Sequence, residues 1–309
     1  MLRVAQTVTA PILLTGGTGQ LAVALAEGAL ACGLRVHHVG RPLLDFDRPA
    51  SIGEVFTACV PSLVINAAAY TAVDAAEDDE AAALRANRDG PAELAQLCQA
   101  TDIPLIHVST DYVFDGLKGA PYVETDPTAP QGVYGASKLA GEQAVLAACR
   151  RAIVLRTSWV YSPIGKNFVR TMLGAARRHR QLRVVADQTG CPTRSADLAQ
   201  VILGIADQLA RDGWDDRLAG IYHAAGTGAT TWYGFAVATF EAAARYGVSK
   251  PAVAPIPTRE WPTKAKRPPD SRLDCGRLAA VFGVRLPPWQ EALVHTIDGI
   301  FISGALSGV

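Results

Sequence analysis

The two residues with the clearest chemical meaning in this sequence are Tyr134 and Lys138, four positions apart in the stretch YGASK. On a helix, that spacing places the phenol and the ammonium on one face, one turn apart. A free phenol has a pKa of about 10, too high for efficient proton exchange near pH 7, and a cation held beside it lowers that pKa. The pair therefore predicts a proton donor, Tyr134, whose acidity is set by Lys138.

A third candidate, Thr110, lies in the stretch HVSTDYVF, 24 residues before Tyr134. It follows a predicted strand, and a loop that folds back would bring its hydroxyl to the same reacting oxygen. A serine or threonine in such a place is usually a cap or turn residue. Its coincidence with the other two favours a role in proton transfer, so we predict Thr110, Tyr134 and Lys138 as catalytic residues.

A glycine-rich turn indicates a nucleotide site. Residues 15–22 read TGGTGQLA and fit both the G-x-G-x-x-A and the G-x-x-G-x-x-A spacing of dinucleotide-binding turns. Glycines permit the sharp turn and let the backbone approach a pyrophosphate, while the N-terminus of the next helix points N–H groups at the phosphates. We predict that Gly16, Gly19, Gln20 and Leu21 bind a dinucleotide.

Residues after the second and third predicted strands indicate which dinucleotide binds. An acidic residue there suits the ribose of NAD, whereas an arginine accommodates a 2′-phosphate. Arg41 follows the second strand and favours NADPH, with NADH left as the alternative, and Asp45 and Phe46 could flank the adenine. After the third strand, the small side chains of NAAAY leave room for a flat cofactor beside Ala69 and Tyr70.

These residues need a scaffold, and an alternation of short apolar runs with Ala/Leu-rich stretches supplies it. The predicted strands cover 12–14, 35–39, 63–65, 105–108 and 152–155. The predicted helices cover 20–31, 51–58, 77–98 and 134–148. Such alternation implies right-handed crossovers and a parallel sheet covered on both faces. The fold class is therefore α/β, a Rossmann-like doubly wound parallel sheet with a smaller C-terminal substrate domain.

The pattern changes beyond residue 160, where proline and tryptophan become more frequent. We predict a dinucleotide-binding domain over 1–160, preceded by a ten-residue extension, with residues about 182–223 returning to it. A mainly substrate-binding domain is predicted over 161–309. Six prolines in 251–269 indicate a loop-rich segment there.

Charge balance and cysteine spacing argue against several kinds of partner. Lys and Arg number 29, as do Asp and Glu, so no broad nucleic-acid or membrane-binding field is expected. The six cysteines form no CxxC pair and are expected to be reduced thiols. With no signal-peptide pattern and no apolar run of about 18 residues, the sequence predicts a cytoplasmic protein with no nucleic-acid or membrane partner.

Taken together, these motifs resemble the extended short-chain dehydrogenase/reductase family. The motifs are the glycine turn, NAAA at 66–69, STDYVF at 109–114 and YxxxK at 134–138. Within that family, RTSWVY at 156–161, DQ-x-G-x-PT at 187–193 and RP-x-x-SRL at 267–273 are similar to the dTDP-4-dehydrorhamnose reductases. The resemblance covers roughly residues 12–295. It implies hydride transfer from NAD(P)H to the C4 keto group of a nucleotide sugar, dTDP-4-dehydro-L-rhamnose, giving dTDP-L-rhamnose.

The resemblance also implies roles for individual residues. Thr110 and Tyr134 would bind the keto oxygen, Tyr134 would protonate it, and Lys138 would lower the phenol pKa and hold the nicotinamide ribose. Further residues are assigned by resemblance alone: Asp111 and Trp159 to the sugar, Thr71 to the cofactor, and Lys166, Asn167 and Arg272 to the diphosphate end.

Departures from the family pattern and competing functions leave some points open. Some relatives carry a glutamate on the first helix that helps to hold Mg²⁺ at a dimer interface; the corresponding positions here are Ala24 and Leu25. We therefore predict no metal site, and a homodimer stays an open expectation. Tyr112 replaces the second acid of the sugar dehydratases. A nucleotide-sugar 4-epimerase and a non-catalytic, NADP-binding regulatory subunit remain as alternatives.

Overall fold

The computed structural model describes residues 10–302, so all but one residue of the predicted N-terminal extension lie outside the described residues. The first half of the chain builds five parallel strands, four of which are buried almost along their whole length, whereas the edge strand exposes His37 and His38. They are β1 (Ile12–Thr15), β2 (Val36–Val39), β3 (Leu63–Asn66), β4 (Leu105–Thr110) and β5 (Ala152–Thr157). Each falls where the sequence predicts a strand, which confirms the doubly wound parallel sheet.

Helices connect these strands and cover the sheet. They are α1 (Gln20–Ala31), α2 (Ala50–Cys59), α3 (Val73–Ala76), α4 (Glu80–Leu84), α5 (Gly90–Ala100) and α6 (Val133–Ala148). Ile52 of α2, Leu94 of α5 and Val145 of α6 pack in one apolar cluster with Val64 of β3. The residues of α1 belong to a separate cluster on the other face. Both faces of the sheet are therefore buried, as βαβ crossovers require.

The helix predicted over 77–98 is present over residues 80–100, but a π-helical turn interrupts its α-helical hydrogen bonds. After α4, residues 85–89 form one π-helical turn, and α5 begins at Gly90. Pro91 has no N–H, so it cannot donate the α-helical bond to the Asn87 carbonyl four residues earlier. That carbonyl instead lies against α6, where a Cβ added to Gly141 would be 1.9 Å from it. The π-helical turn thus depends on a lost hydrogen bond and on a tertiary contact, neither of which the composition reveals.

Beyond β5 the elements become shorter and pair over long distances. They are β6 (Val160–Tyr161), α7 (Phe168–Ala176), β7 (Gln181–Val185), β8 (Thr189–Gly190), β9 (Thr193–Arg194), α8 (Ser195–Asp212) and β10 (Gly220–His223). β10 pairs in parallel with β5 and completes a six-stranded sheet in the order β2-β1-β3-β4-β5-β10. α8 packs beside α1 on the same face. The chain therefore returns to the central sheet through α8 and β10, whereas β7 pairs elsewhere.

The last part of the described chain contains β11 (Thr230–Thr231), α9 (Trp232–Ala243), β12 (Ala252–Ile256), α10 (Gly276–Phe282) and α11 (Trp289–Ile302). Three small ladders join β6 to β9, β8 to β11 and β7 to β12. β12 lies inside the segment predicted to be loop-rich, and its Pro255 is tolerated because the ladder has only two strands. Across residues 10–302 no helix is both long and apolar enough to cross a membrane.

Candidate active site

The glycine turn lies between the end of β1 and the start of α1. Gly16 has φ +124°, and a Cβ there would be 2.9 Å from the Ala22 Cβ and 3.0 Å from the Ala67 carbonyl carbon. A Cβ on Gly40 would be 2.5 Å from the Gly17 Cα. A side chain at either position would push β1, β2 and β3 apart where the strand order reverses. In doubly wound sheets that point is where ligands bind.

Two cavities meet at this turn, and both are lined by Gly16 and Ala69. The first, here called the β4 cavity, has a volume of about 430 Å³ and runs from the turn to the carboxyl end of β4. Its walls include most of the predicted residues: Gly19, Gln20, Leu21, Thr71, Thr110, Asp111, Tyr134, Lys138, Trp159 and Lys166. The second, the β2 cavity, has about 360 Å³ and is lined by Arg41, Phe46 and Tyr70.

Thr110, Tyr134 and Lys138 converge on the β4 cavity. Tyr134 and Thr110, the last residue of β4, line the cavity together, and Thr110 lies near enough to influence the pKa of the Tyr134 phenol. The Tyr134 ring stands edge-on to Tyr112, with ring centroids 5.7 Å apart. The Lys138 side chain, one turn further along α6 and 2% exposed, donates from Nζ to the Val108 carbonyl at 2.6 Å. The structure therefore places a phenol, a hydroxyl and an ammonium around one space.

The protonation of this group follows from its burial. Burial raises the pKa of Tyr134 to about 12, although the nearby Thr110 hydroxyl acts in the opposite direction. Burial also lowers the pKa of Lys138 to about 8, and the nearby Glu142 carboxylate opposes that change. The expected lowering of the Tyr134 pKa by Lys138 is not seen, because burial dominates and the Lys138 ammonium binds the Val108 carbonyl. Tyr134 keeps its proton near pH 7, as a proton donor must.

Asp111 lies in the same cavity and is 2% exposed. Thr110 donates a hydrogen bond from Oγ1 to its Oδ1 at 3.1 Å. Burial raises the pKa of Asp111 to about 7, and hydrogen bonds from Ser271 and Thr110 act to lower it. A carboxyl group in this state can donate or accept a hydrogen bond near neutral pH.

A buried ion pair lies behind α6, the helix that carries Tyr134 and Lys138. Arg156 of β5 donates from Nη2 to Glu142 Oε2 at 2.6 Å and from Nε to Oε1 at 2.9 Å. Ser109 donates to the same Glu142 oxygen at 2.5 Å. Arg156 is 2% and Glu142 1% exposed. The pair ties α6 to β4 and β5 at the level of Lys138.

A chain of side-chain hydrogen bonds crosses the strand ends beneath the glycine turn. Thr15 of β1 donates to Asn66 Oδ1 at 2.6 Å, and Asn66 Nδ2 lies 2.9 Å from His107 Nδ1 on β4. The Ala68 N–H donates to Asn66 Oδ1 at 3.1 Å. These contacts fix the loop that follows β3, on which Ala69 and Tyr70 stand. Burial holds the pKa of His107 well below its usual range, so this ring stays neutral.

Sequence reasoning missed Asn87, which joins the loop after β3 to α6. The Tyr70 N–H donates to Asn87 Oδ1 at 2.8 Å, and Asn87 Nδ2 donates to the Tyr70 carbonyl at 3.1 Å and to Ser137 Oγ at 3.0 Å. Ser137 lies between Tyr134 and Lys138 on α6 and donates to the Tyr134 carbonyl. Asn87 is fully buried in the π-helical turn. The glycine–proline pair that follows it is the only signal that could have drawn attention to it.

The C-terminal elements contribute a second residue that the sequence did not indicate. Trp159, predicted to contact the sugar, stacks on Trp232 with ring centroids 3.4 Å apart and planes 5° from parallel. Both indoles line the β4 cavity. Trp232 comes 73 residues after Trp159, and no motif links the two positions.

Asn167 is occupied by contacts within the protein. Its Nδ2 donates to Gln20 Oε1 and to the Ser162 carbonyl, each at 2.9 Å, and its Oδ1 caps α7. The structure therefore does not point Asn167 into the β4 cavity; it places Asn167 behind Gln20. Its neighbour Lys166 does line the cavity.

Arg272 is not brought to either cavity. It forms a two-point ion pair with Asp270, at 2.6 and 2.8 Å, and contacts the Gly119 carbonyl. Sequence similarity identified a basic residue in this segment, but the position of its guanidinium depends on the acid two residues earlier.

Arg41 lies at the mouth of the β2 cavity, 63% exposed at its side chain, between two acids. Its Nε lies 2.9 Å from Asp45 Oδ1 and its Nη2 lies 2.5 Å from Asp47 Oδ2. Asp45 thus faces Arg41. Phe46 packs against α5, because a Cβ on Gly90 would be 2.3 Å from its ring. Within residues 10–302, no group of three His, Cys, Asp or Glu side chains could hold a metal ion.

The chain is similar in sequence to a known family and to proteins of known name. The family model described as "RmlD substrate binding domain" matches residues 10–301. A dTDP-4-dehydrorhamnose reductase of Sinorhizobium fredii is 40% identical over 293 residues, which cover 95% of this chain and 98% of that protein.

Two solved structures have closely similar folds. A dTDP-4-dehydrorhamnose reductase from Clostridium acetobutylicum has a TM-score of 0.86 and 35% identity, covering 93% of this chain and 98% of that one. The enzyme of the same name from Bacillus anthracis, solved in complex with NADP, has a TM-score of 0.86 and 33% identity. There the match covers 96% of this chain and 99% of the other.

Proposed function

The chain belongs to the RmlD substrate-binding-domain family, and on that premise we propose that it is an NADPH-dependent dTDP-4-dehydrorhamnose reductase. It reduces the C4 keto group of dTDP-4-dehydro-L-rhamnose to give dTDP-L-rhamnose. One observation carries the proposal: Tyr134, Thr110, Lys138 and the glycine turn line one cavity. Relatives at 40% identity over nearly the whole chain bear the name of this activity.

The residues present suit a bound dinucleotide. Gly16 and Gly17 keep the backbone open where the pyrophosphate would lie, and the N–H groups at the start of α1 favour its charge. The β2 cavity would take the adenosine end beside Arg41, and the β4 cavity the nicotinamide end. When bound, NADPH supplies the hydride to C4 of the sugar.

The protein's own groups handle the proton and the charge. Tyr134, protonated near pH 7, donates its proton to the keto oxygen as that oxygen becomes negative. The Thr110 hydroxyl is proposed to stabilise the same oxygen after its proton turns away from Asp111. Lys138, whose ammonium donates to the Val108 carbonyl, is proposed to hold the nicotinamide ribose.

The remaining assignments concern the sugar and the diphosphate. Asp111 is proposed to bind a sugar hydroxyl, and Lys166 to bind the diphosphate, because both line the β4 cavity. Asn167 enters the proposal as a residue that positions Gln20. Arg272 would have to leave Asp270 before it could reach a substrate phosphate.

The direct test is an assay of NADPH oxidation against a panel of dTDP-4-keto sugars, with the C4 configuration of the product read by NMR. We expect stoichiometric NADPH consumption and dTDP-L-rhamnose as the product. Interconversion of sugars without net NADPH consumption would instead indicate a 4-epimerase. No turnover, together with NADP binding, would indicate the regulatory subunit.

Three coarser expectations accompany this function. We propose a cytoplasmic reaction, because nucleotide sugars and NADPH are cytoplasmic metabolites. A homodimer also stays a prediction, and analytical ultracentrifugation tests it. The division into a dinucleotide-binding and a substrate-binding domain is likewise proposed, with α8 and β10 assigned to the former.

A further inference from the structure

One wall of the β4 cavity is a pair of stacked indoles, of which only Trp159 has an assigned role. The Trp159 and Trp232 rings are parallel within 5° and their centroids are 3.4 Å apart, so each covers one face of the other. Trp159 is held with φ +46°, a backbone conformation that bulky residues rarely adopt. Its carbonyl accepts a hydrogen bond from the Thr193 N–H at 3.2 Å.

The second face of Trp159 is covered by Gly190. A Cβ added to Gly190 would lie 2.4 Å from Trp159 Cε2, and 2.6 and 2.8 Å from the flanking Nε1 and Cζ2. An atom in the plane of the indole, outside its edge, would lie nearer to Nε1 and Cζ2 than to Cε2, which is set between them. Because the Gly190 Cβ would lie nearest to Cε2, it lies over the face of the ring. Trp232 stacks too closely for anything to fit between the rings, so Gly190 occupies the opposite face. Trp159 therefore presents only an edge to the cavity.

Trp232 is held in place by contacts of its own. It is the first residue of α9, next to the cap residue Thr231, and β11 pairs Thr231 with Thr189. Its Nε1 donates to Gln188 Oε1 at 3.1 Å, and Gln188 Nε2 donates to Thr258 Oγ1 at 3.0 Å. The indole N–H is thus satisfied within the protein. The second face of Trp232 lies against Phe168, with ring centroids 4.7 Å apart, so Trp232, like Trp159, lines the cavity with its edge.

We propose that Trp232 is a specificity-determining residue that contacts the sugar end of the substrate and acts with Trp159 as one two-indole wall. The inference rests on the proposed function and deepens it. The same cavity contains Thr110 and Tyr134, so a sugar whose C4 oxygen reaches Tyr134 lies within this cavity. A 6-deoxy sugar carries a methyl group that gains by burial against the apolar edges of the two indoles, whereas a diphosphate has no such surface.

The test compares two ligands that differ only in the sugar, dTDP-L-rhamnose and dTDP. Isothermal titration calorimetry gives both Kd values for wild type, Trp232→Ala, Trp232→Phe and the control Trp214→Phe. Trp214 lines a separate cavity at the amino ends of the strands. We expect Trp232→Ala to weaken dTDP-L-rhamnose about 10- to 30-fold and Trp232→Phe about threefold, with dTDP binding unchanged. The KM for the keto sugar rises by a similar factor while kcat changes little.

Circular dichroism checks both the fold and the stack. The exciton signal of two parallel indoles is lost in Trp232→Ala and Trp232→Phe and is kept in Trp214→Phe, while the remaining spectrum is native. If the alanine variant does not fold, Trp232→Leu keeps apolar volume without the stack and gives the same comparison.

Two results would overturn the proposal for Trp232. One is dTDP-L-rhamnose binding within twofold of wild type in Trp232→Ala. The other is an equal weakening of dTDP, which would place Trp232 at the nucleotide end. Neither affects the proposed function, which fails separately if the wild-type protein turns over no dTDP-4-keto sugar.

Discussion

Two sides of the β4 cavity are built in different ways. Beneath Tyr134 and Lys138, the strand ends carry buried polar groups, among them the ion pair of Glu142 with Arg156. The side formed by the C-terminal elements consists of stacked aromatic rings, with Trp159 against Trp232. The first side includes charges almost fully removed from water, whereas the second includes mainly apolar surface.

The difference indicates how each side can fail. A buried charge that loses its partner is left uncompensated, which costs several kcal/mol. An aromatic wall that loses a ring leaves space, and its effect on binding is graded with the surface lost. We therefore expect large losses of activity or stability from substitutions near α6, and graded losses of ligand binding from substitutions of the indole pair.

Tyr134→Phe gives the largest effect, because it removes the proton donor and keeps the ring. We expect kcat to fall about 10³- to 10⁴-fold, with NADPH affinity within twofold of wild type. Stopped-flow NADPH oxidation measures the first quantity and fluorescence titration the second. A variant with wild-type kcat would show that Tyr134 is not the general acid.

Arg156→Met tests whether pairing is what stabilises the polar side. It leaves Glu142 buried without its partner, and we expect a loss of about 3–5 kcal/mol in the free energy of unfolding. The double variant Glu142→Gln/Arg156→Met should recover much of that loss, because residue 142 no longer carries an uncompensated charge. Urea unfolding measures both, and equal losses in the single and double variants would contradict the pairing argument.

Asp111→Asn tests the cost of a buried carboxylate on the same side. The pKa of Asp111 is raised to about 7 in the folded protein, from 3.8, so the folded state holds a proton that the unfolded state loses. Stability from this group is full below about pH 4 and is lost as pH rises towards 7. Between pH 5 and 7 the shift is worth about 2–3 kcal/mol. We expect Asp111→Asn to gain stability relative to wild type as the pH rises from 5 to 7. An equal difference in the free energy of unfolding between variant and wild type at pH 5 and pH 7 would refute this.

Arg41→Ala should give the smallest effect and provides an exposed counterpart to Arg156. Its guanidinium is 63% exposed and already paired with Asp45 and Asp47, so a 2′-phosphate competes with those acids. We expect NADPH to bind about threefold to tenfold more weakly, with NADH unchanged. Arg211→Ala, on the exposed face of α8, is the matched control. Equal weakening of both cofactors would rule out the 2′-phosphate contact.

The sequence by itself determined the central sheet, the glycine turn and the Tyr134–Lys138 pair. These features depend on residues close together in the chain, where the periods of helix and strand decide which side chains share a face. The strands β1, β3, β4 and β5 follow from apolar runs, because strands inside a parallel sheet are covered on both faces. β2, at the edge of the sheet, exposes His37 and His38.

Only the tertiary structure decided which distant groups meet. Asn87 reaches Ser137, 50 residues away, and Trp232 reaches Trp159 through two short ladders that no periodic pattern reveals. It also decided the Tyr134 pKa, because burial by surrounding elements outweighs the cation one turn away. Local spacing specifies neighbours on one element, whereas solvent exclusion and long-range contacts depend on how all elements pack.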